Sequence, residues 1–387
     1  MRKCRLRIAP RWRTLLRIAL VSTGSPEYDA PPRLGGIQKQ IRGFASSYVR
    51  LGHHVDVITR DVTTGERQDA DYVRRIRVRS RNDVLSRLLF SRRAASMVDE
   101  LEPDVIELHE RFSGFFPSRL KRRKVFFARN YDAMRYYVHY GRSRRSANWA
   151  FLPVKNWMEE ECMRHSDLVF ALNQRDAVYL RSRGFEWVEL TRNAVDPDLF
   201  RSGEDGNYIL FAGRLDAVKG VRVLTEAFEL LAKVTDIDLH VAGDGPLRAE
   251  LERWGQKPEL RGRVRILGWL ETSDLATQYS NCSFLVLPSF FETFGNVAIE
   301  AMASGKPVVA SRIPGPGEVI QPGRTGFLFT AGNSEELAQF CRVFVEDPGL
   351  RRKFGASARQ DAEKRYSFLA VASDRLQTYD RLIVGHP

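Results

Sequence analysis

Strand-sized apolar runs alternate with amphipathic helical patterns over nearly the whole sequence, and a chain with that rhythm has few choices besides parallel sheets joined by crossover helices. The first runs fall at residues 16–21, 54–59, 73–78, 104–108, 125–128, 167–172 and 188–190, with helical stretches such as 36–51 and 84–101 between them. Residues 193–206 then break the rhythm with a short polar segment rich in turn formers. Behind it a second series begins, at 208–212, 238–242, 264–267, 284–287, 307–310 and 326–329. In the last stretch, 368–383, Leu369, Ala372, Leu376, Tyr379 and Leu382 recur near helical spacing and predict a terminal helix with one packed face. At 387 residues the chain exceeds what one growing core accommodates. The expected architecture is α/β: two Rossmann-like, doubly wound domains facing a central cleft, at 1–191 and 208–366, with a linker at 192–207 and the terminal helix, 367–387, packing back on the first domain. Open sheets of this kind bind ligands at the carboxyl ends of their strands, so chemistry is sought in the strand-to-helix loops.

The composition narrows the function classes. With 43% hydrophobic and 28% charged residues the chain is a globular protein without low-complexity bias. No run approaches the roughly 20 apolar residues that span a bilayer, and Arg7, Arg11, Arg13 and Arg17 interrupt every hydrophobic region near the N-terminus. Cys4, Cys162, Cys282 and Cys341 are scattered singly, without the spacing of zinc sites or disulfide frameworks, which fits a reducing cytoplasm. Cys282 and Cys341 sit among apolar residues and are expected to be core. The net charge of +13 gathers in 74–81, 119–124 and 142–145. No zinc-finger, RNP or basic-zipper pattern accompanies it, so no specific nucleic-acid partner is expected. An anionic membrane surface, met from its cytoplasmic side by a peripheral protein, is a further expected partner, beside the alternative of a merely solvated basic face.

The most informative loop runs from Leu287 to Gly305. It leaves a strand, turns, and enters a helix in which Val297, Ala298, Ala301 and Met302 are expected to face the sheet. Glu292 precedes that helix, Glu300 lies inside it, and Asn296 stands one turn before Glu300 on the same face. Amides at a helix start donate to hydroxyl or phosphate oxygens, while carboxylates accept from sugar or ribose hydroxyls. The combination suits a polyhydroxylated anionic ligand. This E-x7-E segment, continuing through Ala303-Ser304-Gly305-Lys306-Pro307-Val308-Val309-Ala310-Ser311, resembles the signature of the retaining GT-B glycosyltransferases of family four, the glycosyl transferases group 1. The resemblance implies that Glu292 lies near the donor sugar and that Glu300 binds the ribose of the nucleotide, with Phe294, Gly295 and Asn296 in the same donor loop.

A second loop, 211–220, follows the first strand of the second domain and is similar to the family's Gly-Arg…Lys-Gly element at Gly213, Arg214, Lys219 and Gly220. Arg214 with its forked donors and Lys219 as a compact charge would meet a diphosphate, and Lys219 would stabilise the departing nucleotide. In the first domain Gly35 and Gly36 precede a helix, where backbone can approach a ligand, and they resemble the family's glycine-rich loop. His109 ends the run 104–108; a lone histidine is as often structural, but the resemblance implies a role beside the donor sugar. Glu110 follows it, with acceptor and solvent both open as its neighbours. Weaker likenesses occur at 241–246, at 313–318, where Pro316 separates the usual adjacent glycines, and at Asn193–Asp196. The likeness is strong over about 190–365 and thin over the first domain, where acceptor choice would be set.

What the resemblance implies is transfer of a sugar, expected to be a hexose, from a nucleoside-diphosphate sugar to an acceptor hydroxyl with retention at the anomeric carbon. The acceptor would be a glycan or a lipid-linked one, in glycan, glycolipid or cell-surface polysaccharide synthesis. The sugar nucleotide is a co-substrate; no other cofactor and no metal is expected, since the Asp-x-Asp strings at 196–198 and 236–238 lie in the linker and at a strand entrance. Two other classes share the architecture: a nucleotide-sugar epimerase, against which the E-x7-E string speaks, and a non-catalytic sugar-nucleotide or polyanion binder. An NAD oxidoreductase is disfavoured, because neither half opens with a full G-x-G-x-x-G between strand and helix.

Overall fold

The computed structural model describes residues 15–22, 36–61, 70–78, 83–109, 124–128, 157 and 160–384. Among the described residues the apolar runs become thirteen strands in two parallel sheets. The first sheet has the order β3-β2-β1-β4-β5-β6-β7, from β1 (Arg17–Ser22), β2 (His54–Asp61), β3 (Val73–Arg77), β4 (Val105–Leu108), β5 (Lys124–Ala128), β6 (Leu168–Ala171) and β7 (Val188–Leu190). The second has the order β10-β9-β8-β11-β12-β13, from β8 (Tyr208–Ala212), β9 (Asp238–Ala242), β10 (Val264–Gly268), β11 (Phe284–Leu287), β12 (Val308–Ser311) and β13 (Gly326–Phe329). The order reverses between β1 and β4 and between β8 and β11, so each sheet has one switch point where neighbouring loops part to opposite faces.

Both sheets are covered on two faces, and period-2 alternation divides strands such as β1 and β8 between two cores. In β1, Ile18 and Leu20 join one core while Ala19 and Val21 join the other. In β8, Ile209 and Phe211 face one side and Leu210 and Ala212 the other. On the first sheet the helix Asp83–Leu101 covers one face through Phe90, Ala94 and Val98. The helix Gly36–Arg50 covers the opposite face through Ile41, Phe44, Ala45 and Tyr48.

The terminal helix, Phe368–Val384, returns to that same face of the first sheet and adds Val371, Ala372, Leu376 and Tyr379 to its core. Leu369 does not join them: it stays half-buried and lines the interdomain cleft. The chain therefore crosses between the sheets twice, and the crossings run side by side. Val195 N donates to Tyr366 O at 2.8 Å and Phe368 N to Val195 O at 3.3 Å.

A buried charged cluster fastens the returning helix. Glu107 projects from the middle of β4 with no exposure, and its carboxylate accepts from the Tyr48 and Tyr379 hydroxyls and from Arg375 Nη1 at 3.1 Å. The Arg375 guanidinium lies over the ring of Phe44 at 3.9 Å. Burial alone would raise the Glu107 carboxyl, but the Arg375 charge, His109 and the Tyr379 hydroxyl outweigh it and hold the group at about 2. Cys162, Cys282 and Cys341 are buried. Burial pushes the Cys282 thiol up to about 12, as expected for core cysteines. Among the described residues no helix is long and apolar enough to cross a membrane.

Candidate active site

The carboxyl ends of β8 and β11, which flank the second switch point, carry the two loops singled out by sequence. After β8 the chain makes a single 3₁₀ turn at Ala217–Lys219, capped by Asp216, whose Oδ1 accepts from Lys219 N at 3.0 Å. The other oxygen of Asp216 accepts from Arg214 Nε at 2.6 Å. One buried carboxylate thus fixes both the backbone under Lys219 and the guanidinium of Arg214, which is 58% exposed. Gly220 follows at φ +68°, and a Cβ there would stand 1.9 Å from the carbonyl oxygen of Pro288. Only glycine lets the β8 loop lie this close to the β11 loop. Phe290 N donates to Val218 O at 2.8 Å and ties the two loops together.

In the β11 loop the Glu292 carboxylate pairs with Lys219 Nζ and accepts from Ser289 Oγ at 3.1 Å. Phe291, Thr293 and Phe294 are buried on either side of it, and Phe294 packs edge-on against Tyr366 with centroids 6.0 Å apart. Gly295, at φ +92°, turns the chain into the helix Asn296–Ala303. The Asn296 Oδ1 accepts from Asn193 Nδ2 of the linker at 2.8 Å. Glu300 lies further along, half-buried, and accepts from Tyr279 Oη at 3.0 Å. Burial raises its carboxyl above the ordinary range, a shift only partly opposed by Lys39 and by the Tyr279 hydroxyl. In this helix Ala298, Ile299, Ala301, Met302 and Ala303 are buried, whereas Val297 is half-buried and lines the cleft. The observed core face is therefore rotated by a residue from the expected one.

These loops line one cleft of about 1050 Å³ between the two sheets. Gly213, Arg214, Lys219, Glu292, Phe294, Gly295, Asn296 and Glu300 all contribute to it. His109 does not line it among the described residues. Its side chain is buried, and its Nε2 lies 3.0 Å from Glu107 Oε2, turned toward the charged cluster under the sheet. Gly36 opens the helix Gly36–Arg50, while Gly35 and Glu110 lie outside the described residues, as do most of the basic segments 119–124 and 142–145.

Three further parts of the cleft were not anticipated from residue patterns. From the first domain the helix Gly36–Arg50 presents Lys39, Arg42, Ser46 and Arg50, a stripe at helical spacing. From the second, Trp269 follows β10 and is 54% exposed in the cleft. Arg359 closes another side and donates to Phe200 O at 2.6 Å. The arrangement is a groove with two cations at a loop junction, a helix start beside them, and two carboxylates eight residues apart. Such a groove can hold a diphosphate and the hydroxyls on either side of it.

Residues 196–361 match the sequence model of the glycosyl transferases group 1, and residues 35–194 match that of the glycosyl transferase 4-like domain. The first-domain match covers β2–β7 and the other covers β8–β13, with a single residue between them. The chain belongs to the group 1 glycosyl transferases. An uncharacterized glycosyltransferase of Methanocaldococcus jannaschii is 27% identical over 401 residues, spanning 94% of this chain and 98% of that one. Among solved structures, the sucrose-phosphate synthase of Thermosynechococcus elongatus has a TM-score of 0.79 at 24% identity, over 96% of this chain and all of that one. Anabaena HepE in complex with UDP has a TM-score of 0.71 at 20% identity, over 94% of this chain and 99% of its own. The transferase has the GT-B fold.

Proposed function

We infer that this glycosyltransferase moves a hexose from a nucleoside-diphosphate sugar to an acceptor hydroxyl with retention at the anomeric carbon, in the synthesis of a glycan, glycolipid or cell-surface polysaccharide. The observation that carries the donor assignment is the convergence of Arg214, Lys219, Glu292 and Glu300 on one cleft from loops at a single switch point. The diphosphate sits between Arg214 and Lys219, and the amides at the start of the helix Asn296–Ala303 face its oxygens. As the bond from sugar to phosphate breaks, negative charge grows on the diphosphate. Cations already held in place stabilise that charge more than the ground state, with little reorganisation left for the reaction itself.

Lys219 is oriented by Glu292, and Arg214 by Asp216. An arriving diphosphate therefore finds both cations pointing into the cleft. Glu300 takes the ribose hydroxyls, for which its neighbour Tyr279 fixes the carboxylate. Glu292 is left beside the donor sugar. No metal is assigned to the mechanism. The acceptor enters from the first-domain side, and the anionic face of a membrane is the proposed place of action for a lipid-linked acceptor.

The test needs no acceptor to begin with. Calorimetric titration with UDP, GDP and ADP is expected to show selective binding of one nucleoside diphosphate that Lys219→Ala abolishes; UDP comes first, because a neighbour of the same fold is bound to it. Proton NMR of the product linkage then reads retention directly. Absence of binding by all three up to millimolar concentration would set the donor assignment aside in favour of a polyanion-binding protein.

A further inference from the structure

Among the described residues the two domains touch at a place that the proposed chemistry does not use. The helix Gln174–Ser182 follows β6 in the first domain, and its N-terminus meets the donor-side loop of the second. Asn173, the residue before it, has no exposure and uses both ends of its amide. Its Oδ1 accepts from Asp176 N at 2.8 Å, capping the helix in the usual way. Its Nδ2 donates to Asp176 Oδ2 at 3.0 Å and, across the domain boundary, to Thr293 O at 2.8 Å. The next backbone amide, Gln174 N, donates to Glu318 Oε1 at 2.9 Å. Arg175 adds a third contact, its guanidinium 5.0 Å from the centre of the Phe291 ring.

We propose that this helix N-terminus is a domain-closure latch, and that Asn173 is a positioning residue which sets the place of Glu292 through the neighbouring peptide. The inference rests on the assignment of Glu292 to the donor sugar. Its physical basis is that the three contacts fall on Phe291, Thr293 and Glu318, so Glu292 is held from the first domain on both flanks. The Glu318 segment is itself pressed against the same loop, since a Cβ on Gly315 would stand 3.0 Å from the carbonyl of Thr293. Opening the cleft pulls the helix N-terminus away and releases both segments together. Closing it sets Glu292 and, through the Glu292 ion pair, Lys219. The donor loop is thereby complete only when the first domain is in place, which couples arrangement of the reacting groups to exclusion of water from the cleft.

The chemistry of one amide makes the test clean. Ser caps helices as Asn does, so Asn173→Ser keeps the cap, and Asn173→Asp keeps it while setting a second carboxylate beside Asp176; neither can donate an amide N–H to Thr293 O. In the full-length protein, hydrogen–deuterium exchange of residues 289–297 without ligand is expected to quicken at least about threefold in both variants, as it does when a loop loses its anchoring contacts. Turnover is expected to fall at least about tenfold while the nucleoside-diphosphate dissociation constant changes by less than about threefold, because a loop held loosely loses geometry and not binding charge. Glu318→Ala, which removes the second contact from the other side, is expected to shift both readouts the same way by less. Wild-type exchange in 289–297 with wild-type turnover in both Asn173 variants would overturn the proposal. So would a turnover loss that merely tracks the fraction of unfolded protein. A wild-type protein that binds no nucleotide would instead overturn the donor assignment, and the exchange measurement would still read the latch.

Discussion

Replacing Glu107 with glutamine removes one proton's worth of charge and almost no volume, yet it is expected to destabilise the first domain more than most surface truncations. The carboxylate is fully buried and is the counter-charge of Arg375, itself only 4% exposed in its side chain. Its acid constant is held at about 2 against an ordinary value of 4.5, and that difference corresponds to roughly 3 kcal/mol of preferential stabilisation of the ionised form in the folded state. Because the folded value is the lower one, this stability is fully present above pH 4.5 and is lost as the pH falls toward 2. In Glu107→Gln the arginine stays buried without a counter-charge, a situation that costs about 3–5 kcal/mol. For a domain of this size that lowers the unfolding midpoint by roughly 10 °C. Urea denaturation followed by circular dichroism, at pH 7 and at steps down to pH 2.5, measures both effects. The variant should be weaker at pH 7 and should lose less stability than wild type on acidification. The double variant Glu107→Gln/Arg375→Met should recover much of the loss, since it removes the orphaned charge as well. A single variant within about 1 kcal/mol of wild type, or a double variant no better than the single, would refute the assignment of the cluster as the fastening of the terminal helix.

Three shorter expectations accompany it. Arg214→Ala and Lys219→Ala should each lower turnover at least about a hundredfold in steady-state transfer or donor-hydrolysis assays, with unfolding midpoints near wild type, as loss of preorganised transition-state charge does. Gly220→Ala should cost about 2 kcal/mol or more in denaturant unfolding, because its Cβ would meet backbone at 1.9 Å, whereas Gly184→Ala, with nothing within 4 Å, should cost about 1 kcal/mol or less for its positive φ alone. Nucleoside-diphosphate affinity should weaken on acidification, starting above the pH at which an ordinary carboxylate protonates, as Glu300, whose carboxyl is raised by burial, takes up its proton. In Glu300→Gln, calorimetry should find binding weak and flat over the same acidification.

Much of the fold was legible because parallel sheets buried on both faces write themselves as continuous apolar runs. Tyr208–Ala212, Asp238–Ala242, Phe284–Leu287 and Gly326–Phe329 begin and end in the structure where the runs do. The donor loops were legible for a related reason: Arg214 and Lys219 lie five residues apart, and Glu292 and Glu300 lie within one short loop and helix, so local spacing carries them. What spacing could not carry is contact between distant segments. His109 was expected at the cleft on its place at a strand end, but its pairing with Glu107, two residues back on the same face of β4, turns it inward. Arg375 lies in a helix read only for its apolar positions, and nothing local tells that its partner is 268 residues away. Asn173 could have been noticed as a helix cap, but its second bond, to Thr293, belongs to tertiary structure alone. Leu369 and Val297, assigned to packed faces by periodicity, end at the cleft, because at an interdomain groove one side of a helix faces neither sheet nor open solvent.

The return of the terminal helix to the first sheet also sets an order of events during synthesis. The face of that sheet formed by β1, β2 and β4 is complete in sequence once β7 has been made, yet Phe44, Tyr48 and Glu107 await partners encoded by residues 371–379. Nearly two hundred residues separate the two, which at roughly 5–20 residues per second is an interval of about 10–40 s. Throughout it, the second domain is emerging and can fold around its own sheet, while the first carries an uncovered apolar strip with a charged carboxylate at its centre. A nascent chain of this transferase thus finishes its second half before its first. The codons for residues 371–379 complete the core of a domain whose first strand was made about 350 residues earlier.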